Sequence, residues 1–278
     1  MNRFTIKSHR LHHADSPITF HRSPHSGGTI QPQGIILHDT AGRLDKGTTV
    51  AWFLDKRAKA SAHLVVERDS GLTQLVPFNT KAWHAGQSIL NGRSGCNAFS
   101  IGIEIVNPGK LDQVAGGYRP WFKQLYTEAD GDIRAATTAQ HGAGFWMDYS
   151  SEQIEVVTAV CCALVAKYNL TFIEPHWSVS PGRKIDTNPL FPLDYLRGRA
   201  FGRSEGDDEP ALRQVIATSL NVRGGPGIDF EKMDWGPLPE GSVVQVLGEE
   251  LDERGERWSF ILHQKKKGWV CERYLASR

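Results

Sequence analysis

Catalytic metal centres commonly take three protein ligands from histidine and carboxylate and leave one position to water. Histidines and acidic residues at strand ends and in loops are therefore the first place to look for chemistry. Three candidates stand out: His38, His176 and Asp186. His38 closes Gly34-Ile35-Ile36-Leu37-His38-Asp39, a short apolar run between Pro32 and Thr40-Ala41-Gly42 that predicts a buried strand ending in a loop. His176 and Asp186 lie in the segment 174–189, where Pro175, Pro181 and Pro189 disfavour helix and favour an extended loop. In an extended chain Lys184 and Asp186 face one side and Arg183 the other. A histidine at a strand end is more often hydrogen-bonded or simply exposed, so none of these residues is a ligand on its own.

The elements that must position them have their own signals. Ser100 to Asn107 alternates, with Ile101, Ile103 and Ile105 on one face and Gly102, Glu104 and Val106 on the other. An exposed glutamate is the default on such a strand, but here the strand is very apolar, and a buried carboxylate is costly unless paired or near a metal. Thr48 to Ala60 has a helical pattern, and residues 61–78 read as two strands joined at Asp69-Ser70-Gly71. Ser150-Ser151-Glu152-Gln153 resembles a capping box opening a helix whose apolar positions Ile154, Val157, Cys161, Leu164, Val165 and Tyr168 follow helical spacing and cover a sheet face. Residues 108–149 show no sustained period and predict long loops shaping a cleft.

The 278 residues suggest a large domain and a small one, and 40 % hydrophobic with 23 % charged residues exclude disorder and coiled coil. A net charge of +1 gives no bulk attraction to nucleic acid or anionic lipid, so neither is expected as a partner. No apolar run approaches the roughly 20 residues of a membrane span. The start, MNRFTIKSHRLHH, lacks the apolar stretch of a secretory signal, and synthesis in the cytoplasm is expected. Cys96, Cys161, Cys162 and Cys271 form no zinc or disulfide framework and read as buried thiols. His9, His12, His13, His21 and His25 crowd the N-terminus; a metal tract is one reading, and a frayed polar extension over 1–31 is the expected one. After Arg199 the run FGRSEGDDEP predicts a linker over 199–210, and short strands with turns from Ala211 predict a small all-β barrel over 211–278.

Five blocks in order, ILHDTAG, SAHLVVERDSG, AWHAG, CNAFSIGIEIVNPG and PHWSVSPGRKIDTNPLFP, resemble the zinc-dependent N-acetylmuramoyl-L-alanine amidases of the type-2 family, whose fold is shared with peptidoglycan recognition proteins and several endolysins. The resemblance implies an α/β fold with a mixed central sheet flanked by helices over 32–198. It implies one zinc ion on His38, His176 and Asp186, Glu104 as the catalytic carboxylate and Lys184 as an auxiliary cation. His63, His84 and Asn97 fall at family positions near the substrate, although both histidines could equally hold structure and Asn97 could be a turn residue. The implied reaction is hydrolysis of the amide joining muramoyl lactate to L-alanine in peptidoglycan or muropeptides. Two departures bear on the surroundings of the metal: Trp177-Ser178 replaces the usual small and acidic pair, and Thr187-Asn188-Pro189 stands where Asp-Pro-Gly-Pro is more usual.

The segments Ser219 to Gly227 and Gly268 to Leu275 resemble the bacterial SH3-like domain, which implies attachment to the cell wall. The whole reads as a wall-directed hydrolase, released or delivered after synthesis. A non-catalytic peptidoglycan-binding protein and a cytoplasmic recycling amidase are the alternatives.

Overall fold

Every residue of the run Gly34–Asp39 is buried, and the run forms a strand at the centre of the protein. Its neighbours explain why it has no polar face. In the computed structural model, which describes residues 4–202, 212–264 and 266–277, a six-stranded sheet runs in the order Phe172–Pro175, Gly34–Asp39, Ser100–Ile105, Leu64–Val66, Leu72–Gln74, Thr19–Phe20. The first four strands are parallel, the fifth is antiparallel to the fourth, and the sixth is parallel to the fifth. Parallel strands covered on both faces need apolar residues on both. Ile35, Ile36, Leu37, Ile101, Ile103 and Ile105 are accordingly all fully buried, each worth about 1.5–3 kcal/mol of transfer free energy.

Both helices that the pattern predicts form. Ser151–Tyr168 starts with the capping box: the Ser150 hydroxyl accepts from the Gln153 N–H, and the Gln153 side chain accepts from the Ser150 N–H. Its buried positions include Ile154, Val157, Cys161 and Leu164. The first helix is shorter than expected, Thr48–Leu54, because Asp55 adopts extended backbone and ends it; Val50 and Phe53 pack with Ala62, Val65 and Val106. Residues 61–78 do form a hairpin, Leu64–Val66 against Leu72–Gln74.

Three expectations are corrected. The N-terminus is not frayed: Phe4–Lys7, Arg10–His13 and Ser16–Pro17 form a sheet, Leu11 is fully buried, and Gln74 Oε1 accepts the Leu11 N–H at 2.9 Å. The apolar residues Phe4, Ile6 and Leu11 among the histidines provide the burial that holds it. Nor do the histidines gather on a common point, since His9 meets the Tyr168 hydroxyl and His25 the Asp55 carbonyl. Residues 108–149 are not long loops but chiefly a four-stranded antiparallel sheet of Gly117–Arg119, Lys110–Val114, Gly142–Met147 and Ile133–Thr138. Its short, glycine-rich strands carry too little alternation to show a period of two. Finally, 176–179 is not extended but one helical turn, His176–Val179, since Pro175 sits just before it, where a missing N–H costs nothing.

The chain divides into two compact units, Met1–Phe191 and Pro192–Arg278. The helix Leu193–Phe201 belongs to the second, so the division falls before residue 199. The expected linker lies mostly outside the described residues. The second unit is a five-stranded antiparallel sheet in the order Lys266–Cys271, Arg257–His263, Val243–Leu251, Leu212–Val215, Leu275–Ser277, with a two-stranded ribbon of Ser219–Leu220 and Leu238–Pro239. Val215, Leu220, Val222, Val244, Val246, Ile261 and Val270 form its own core. Among the described residues no helix is long and apolar enough to cross a membrane.

Candidate metal centre

The parallel register brings the candidate residues to one end of the sheet. Glu104 lies opposite His38 and Ile105 opposite Asp39; Pro175 lies opposite Leu37, so His176 follows at the level of His38. The carboxyl ends of adjacent parallel strands are where α/β folds build their sites. Asp186 returns to this end through a turn, with the Trp177 N–H donating to the Asp186 carbonyl at 2.7 Å.

His38 Nδ1 is 2.9 Å from His176 Nδ1 and 3.3 Å from Asp186 Oδ2, and His176 Nδ1 is 2.9 Å from Asp186 Oδ2. The far ring nitrogens decide the tautomers. His176 Nε2 lies 3.2 Å from the Ala85 carbonyl, which can only accept, so the proton is on Nε2 and the Nδ1 lone pair faces inward. His84 Nε2 faces the Ser100 carbonyl at 3.4 Å, which leaves His84 Nδ1 to accept from His38 Nε2 at 3.0 Å. His38 Nδ1 therefore also presents a lone pair. Three acceptors with no proton between them face one point, an arrangement that calls for a cation. Ligand atoms around a tetrahedral ion with bonds of about 2.0–2.1 Å stand roughly 3.3 Å apart, close to the separations here. Among the described residues these three are the one group of histidine, cysteine and carboxylate side chains arranged to hold a metal ion.

The electrostatics follow from burial. Desolvation, then the neighbouring His176, pushes His38 down to about 4. Burial opposes ionisation of Asp186, but the neighbouring His176 and His38 outweigh it and hold the carboxyl well below the usual carboxylate range. Glu104 moves the other way, to about 8: desolvation leads, the charges of Asp186 and Asp39 add to it, and Lys184 opposes. Its Oε2 is buried with no hydrogen-bond partner. The half-buried Lys184 is close enough to act on both Glu104 and His38, although a turn rather than an extended strand carries it, with its N–H on the Ser180 carbonyl. The Arg183 guanidinium instead clamps the 85–87 loop, donating to the Ala85 and Gln87 carbonyls at 2.7 Å each.

Of the residues expected beside a substrate, His63 is enclosed, whereas His84 and Asn97 are partly exposed near the site. His63 has no exposed surface: its Nε2 donates to the Thr80 carbonyl and its Nδ1 accepts from the Gly102 N–H, both at 2.9 Å. With both nitrogens used, it holds strands together and cannot touch substrate. His84 points its imidazole at His38 and so orients that side chain. Asn97 Oδ1 accepts the N–H groups of His84 and Ala85 at 3.1 and 2.7 Å, fixing the loop that carries His84.

Sequence reasoning missed a second buried carboxylate. Asp39 accepts from the Tyr149 hydroxyl and, at 2.7 Å, from the Asn188 N–H. Burial raises it to about 7 despite these bonds. The four-stranded sheet supports the same loop: His141 Nε2 donates to the Thr187 carbonyl at 2.9 Å, and Asn188 Nδ2 donates to the Met147 carbonyl at 3.0 Å. Asn188 thus makes the turn after Asp186 through side-chain bonds where a proline-glycine turn is more usual. The adjacency of Asp39 to His38 was the one available signal.

Residues 28–189 match the family model of the N-acetylmuramoyl-L-alanine amidases. The chain belongs to this family. It is similar to the 1,6-anhydro-N-acetylmuramyl-L-alanine amidase AmpD of Citrobacter freundii, 33 % identical over 148 residues that make up 51 % of this chain and 57 % of that protein. AmpD of Haemophilus influenzae is 53 % identical over 133 residues, 48 % of this chain and 54 % of that one. The chain thus spans little more than half the length of these curated relatives. A solved structure of the amidase AmiD from E. coli, in complex with an anhydromuropeptide substrate, aligns with a TM-score of 0.46 and 22 % identity, covering 76 % of this chain and 74 % of that one.

Proposed function

We propose that the chain is a zinc amidase that hydrolyses the bond between the lactyl group of N-acetylmuramic acid and the L-alanine of a stem peptide. The observation that carries this reading is the convergence of three unprotonated acceptors beside the unpaired, buried oxygen of Glu104. His38, His176 and Asp186 would hold zinc, which when bound supplies the Lewis acidity that makes water acidic near neutral pH and polarises a carbonyl. Glu104 accepts the proton of the attacking water and returns it to the leaving amine. Burial favours the protonated form of this carboxyl and the nearby Lys184 cation its ionised form, the two states between which the task alternates. The Lys184 ammonium stabilises the oxyanion that develops on the carbonyl oxygen. The products are a lactyl carboxylate and a free peptide amino terminus.

The second unit would be the SH3-like module that holds the enzyme at the wall; its separate core and antiparallel strands support this. Tethering raises the local concentration of the catalytic unit at an insoluble substrate. The relatives named for 1,6-anhydro-muramyl substrates favour a second reading, the recycling of soluble fragments. Release of stem-peptide amines from whole walls and from anhydromuropeptide, with and without a zinc chelator, separates the two. Glu104→Gln should lower turnover by about 10²–10⁴-fold while the protein still binds zinc. Full activity in that variant, or in the metal-stripped enzyme, refutes the mechanism.

A further inference from the structure

Trp121 is 73 % exposed, the most exposed of the large apolar side chains in the described structure. It is nevertheless held in place. Its indole N–H donates to the Ala41 carbonyl at 2.8 Å, and its ring meets Phe122 edge-on at 5.6 Å. The turn that carries it is closed by paired backbone bonds between Tyr118 and Tyr126, each 2.8 Å. Ala41 is three residues beyond His38, so the anchor point lies within about 11 Å of the His38 backbone. Beside it, the Arg43 guanidinium donates to Gln124 Oε1 at 3.0 Å, an exposed pair of planar polar groups. A ring held by its indole N–H, largely open to water and with hydrogen-bonding groups alongside, suits one ligand chemistry well. A pyranose presents an apolar face of C–H groups to an aromatic plane and a rim of hydroxyls to polar side chains.

We propose that Trp121, flanked by Arg43 and Gln124, is a saccharide subsite that holds the glycan side of the substrate at the carboxyl-end rim of the sheet. This rests on the amidase reading, in which the scissile amide joins a sugar to a peptide, so that one side of the cleft must receive a sugar. The four-stranded sheet thereby has two tasks, supporting the Asp186–Asn188 turn and carrying a sugar platform on its outer turn.

The test uses the full chain and glycan strands of alternating N-acetylglucosamine and N-acetylmuramic acid stripped of peptide, with binding read by tryptophan fluorescence and by sedimentation. Trp121→Ala should weaken binding by about two- to tenfold, the range of a single aromatic stacking contact, and Trp121→Phe should fall between it and the wild type. Because the ring is so exposed, both variants should keep the wild-type melting temperature. The inference is overturned if Trp121→Ala binds stripped glycan as the wild type does, or if it loses affinity for free stem peptide instead, which would make the platform a peptide site. Binding does not require turnover, so a wild type that hydrolyses no muramoyl peptide would refute the amidase reading while the glycan result still decides this one.

Discussion

Replacing Gly102 with alanine tests whether His84 orients the proposed metal ligand His38. A Cβ at this position would lie 2.3 Å from His84 Cγ and 2.6 Å from its Nδ1, where ordinary contact begins at 3.4 Å. Something must therefore move by about 1 Å, a degree of overpacking that costs about 1–3 kcal/mol. The strand cannot yield. The Gly102 N–H donates to His63 Nδ1 at 2.9 Å, and its carbonyl accepts the His63 N–H at 3.0 Å, so one buried residue grips the backbone from both sides. The His84 ring is held more weakly, with its Nε2 at 3.4 Å from Ser100. The ring should swing and break its 3.0 Å bond to His38. Loss of such a partner to a ligating histidine costs about 10–100-fold in metal affinity.

Zinc affinity measured by competition with a chromophoric chelator at pH 7 should fall by that factor, with a lowered melting temperature in the stripped protein. The double variant Gly102→Ala, His84→Ala is the sharper control. Once the ring is gone the new methyl has nothing to displace, so the double variant should bind zinc no more weakly than His84→Ala alone. Unchanged affinity in Gly102→Ala, or additive losses in the double variant, would refute the proposed coupling.

Acid stability should report His63. Burial lowers it from 6.5 to about 4, so between those values the unfolded chain takes up a proton that the folded chain refuses. Stability is full above pH 6.5 and declines as the pH falls toward 4, by up to about 1.4 kcal/mol per pH unit for one such group. His38 shifts the same way. Glu104 and Asp39, raised to about 8 and about 7, shift the opposite way, so the decisive reading is a difference: in chemical denaturation of stripped protein His63→Gln should change the proton uptake in this window by one relative to the wild type, and an unchanged slope would contradict the neutral, doubly bonded imidazole. Ser150→Ala deletes the capping-box acceptor and should cost about 1 kcal/mol in the same assay without altering zinc affinity, and a loss of zinc would show that the long helix reaches the metal centre.

Much of the fold of the first unit was legible because its signals are local. Strand Ser100–Ile105 shows its alternation, and the long helix announces its first turn by Ser150 and Gln153. The failures have equally physical causes. Residues 110–147 show no period because burial in strands such as Gly142–Met147 grades along the strand, exposed on both faces at Gly142 and Ala143 and buried on both at Trp146 and Met147, instead of alternating. The N-terminal strands were hidden by their histidines, yet Phe4, Ile6 and Leu11 supply enough apolar surface to dock them. One turn of helix formed where prolines argued for extension, since Pro175 precedes the first helical residue rather than interrupting it.

The site divides along a different line. The residues proposed to hold a metal or move a proton come from the few types able to do so, which makes His38, Glu104, His176 and Asp186 conspicuous. The residues that aim them are under no such restriction, because most of the aiming is done by main-chain groups that every residue carries. Carbonyls of Ala85, Thr80 and Thr187 fix the rings of His176, His63 and His141, and the N–H groups of His84 and Ala85 fix Asn97. Replacing Ala85 or Thr187 would leave the carbonyl in place, so the residue type at such a position says nothing about its role. The resemblance sets His63 and Asn97 near the substrate, and their hydrogen-bond partners are main-chain atoms, located only once the strands are in register. A supporting shell built in this way is strict in three dimensions and nearly silent in one.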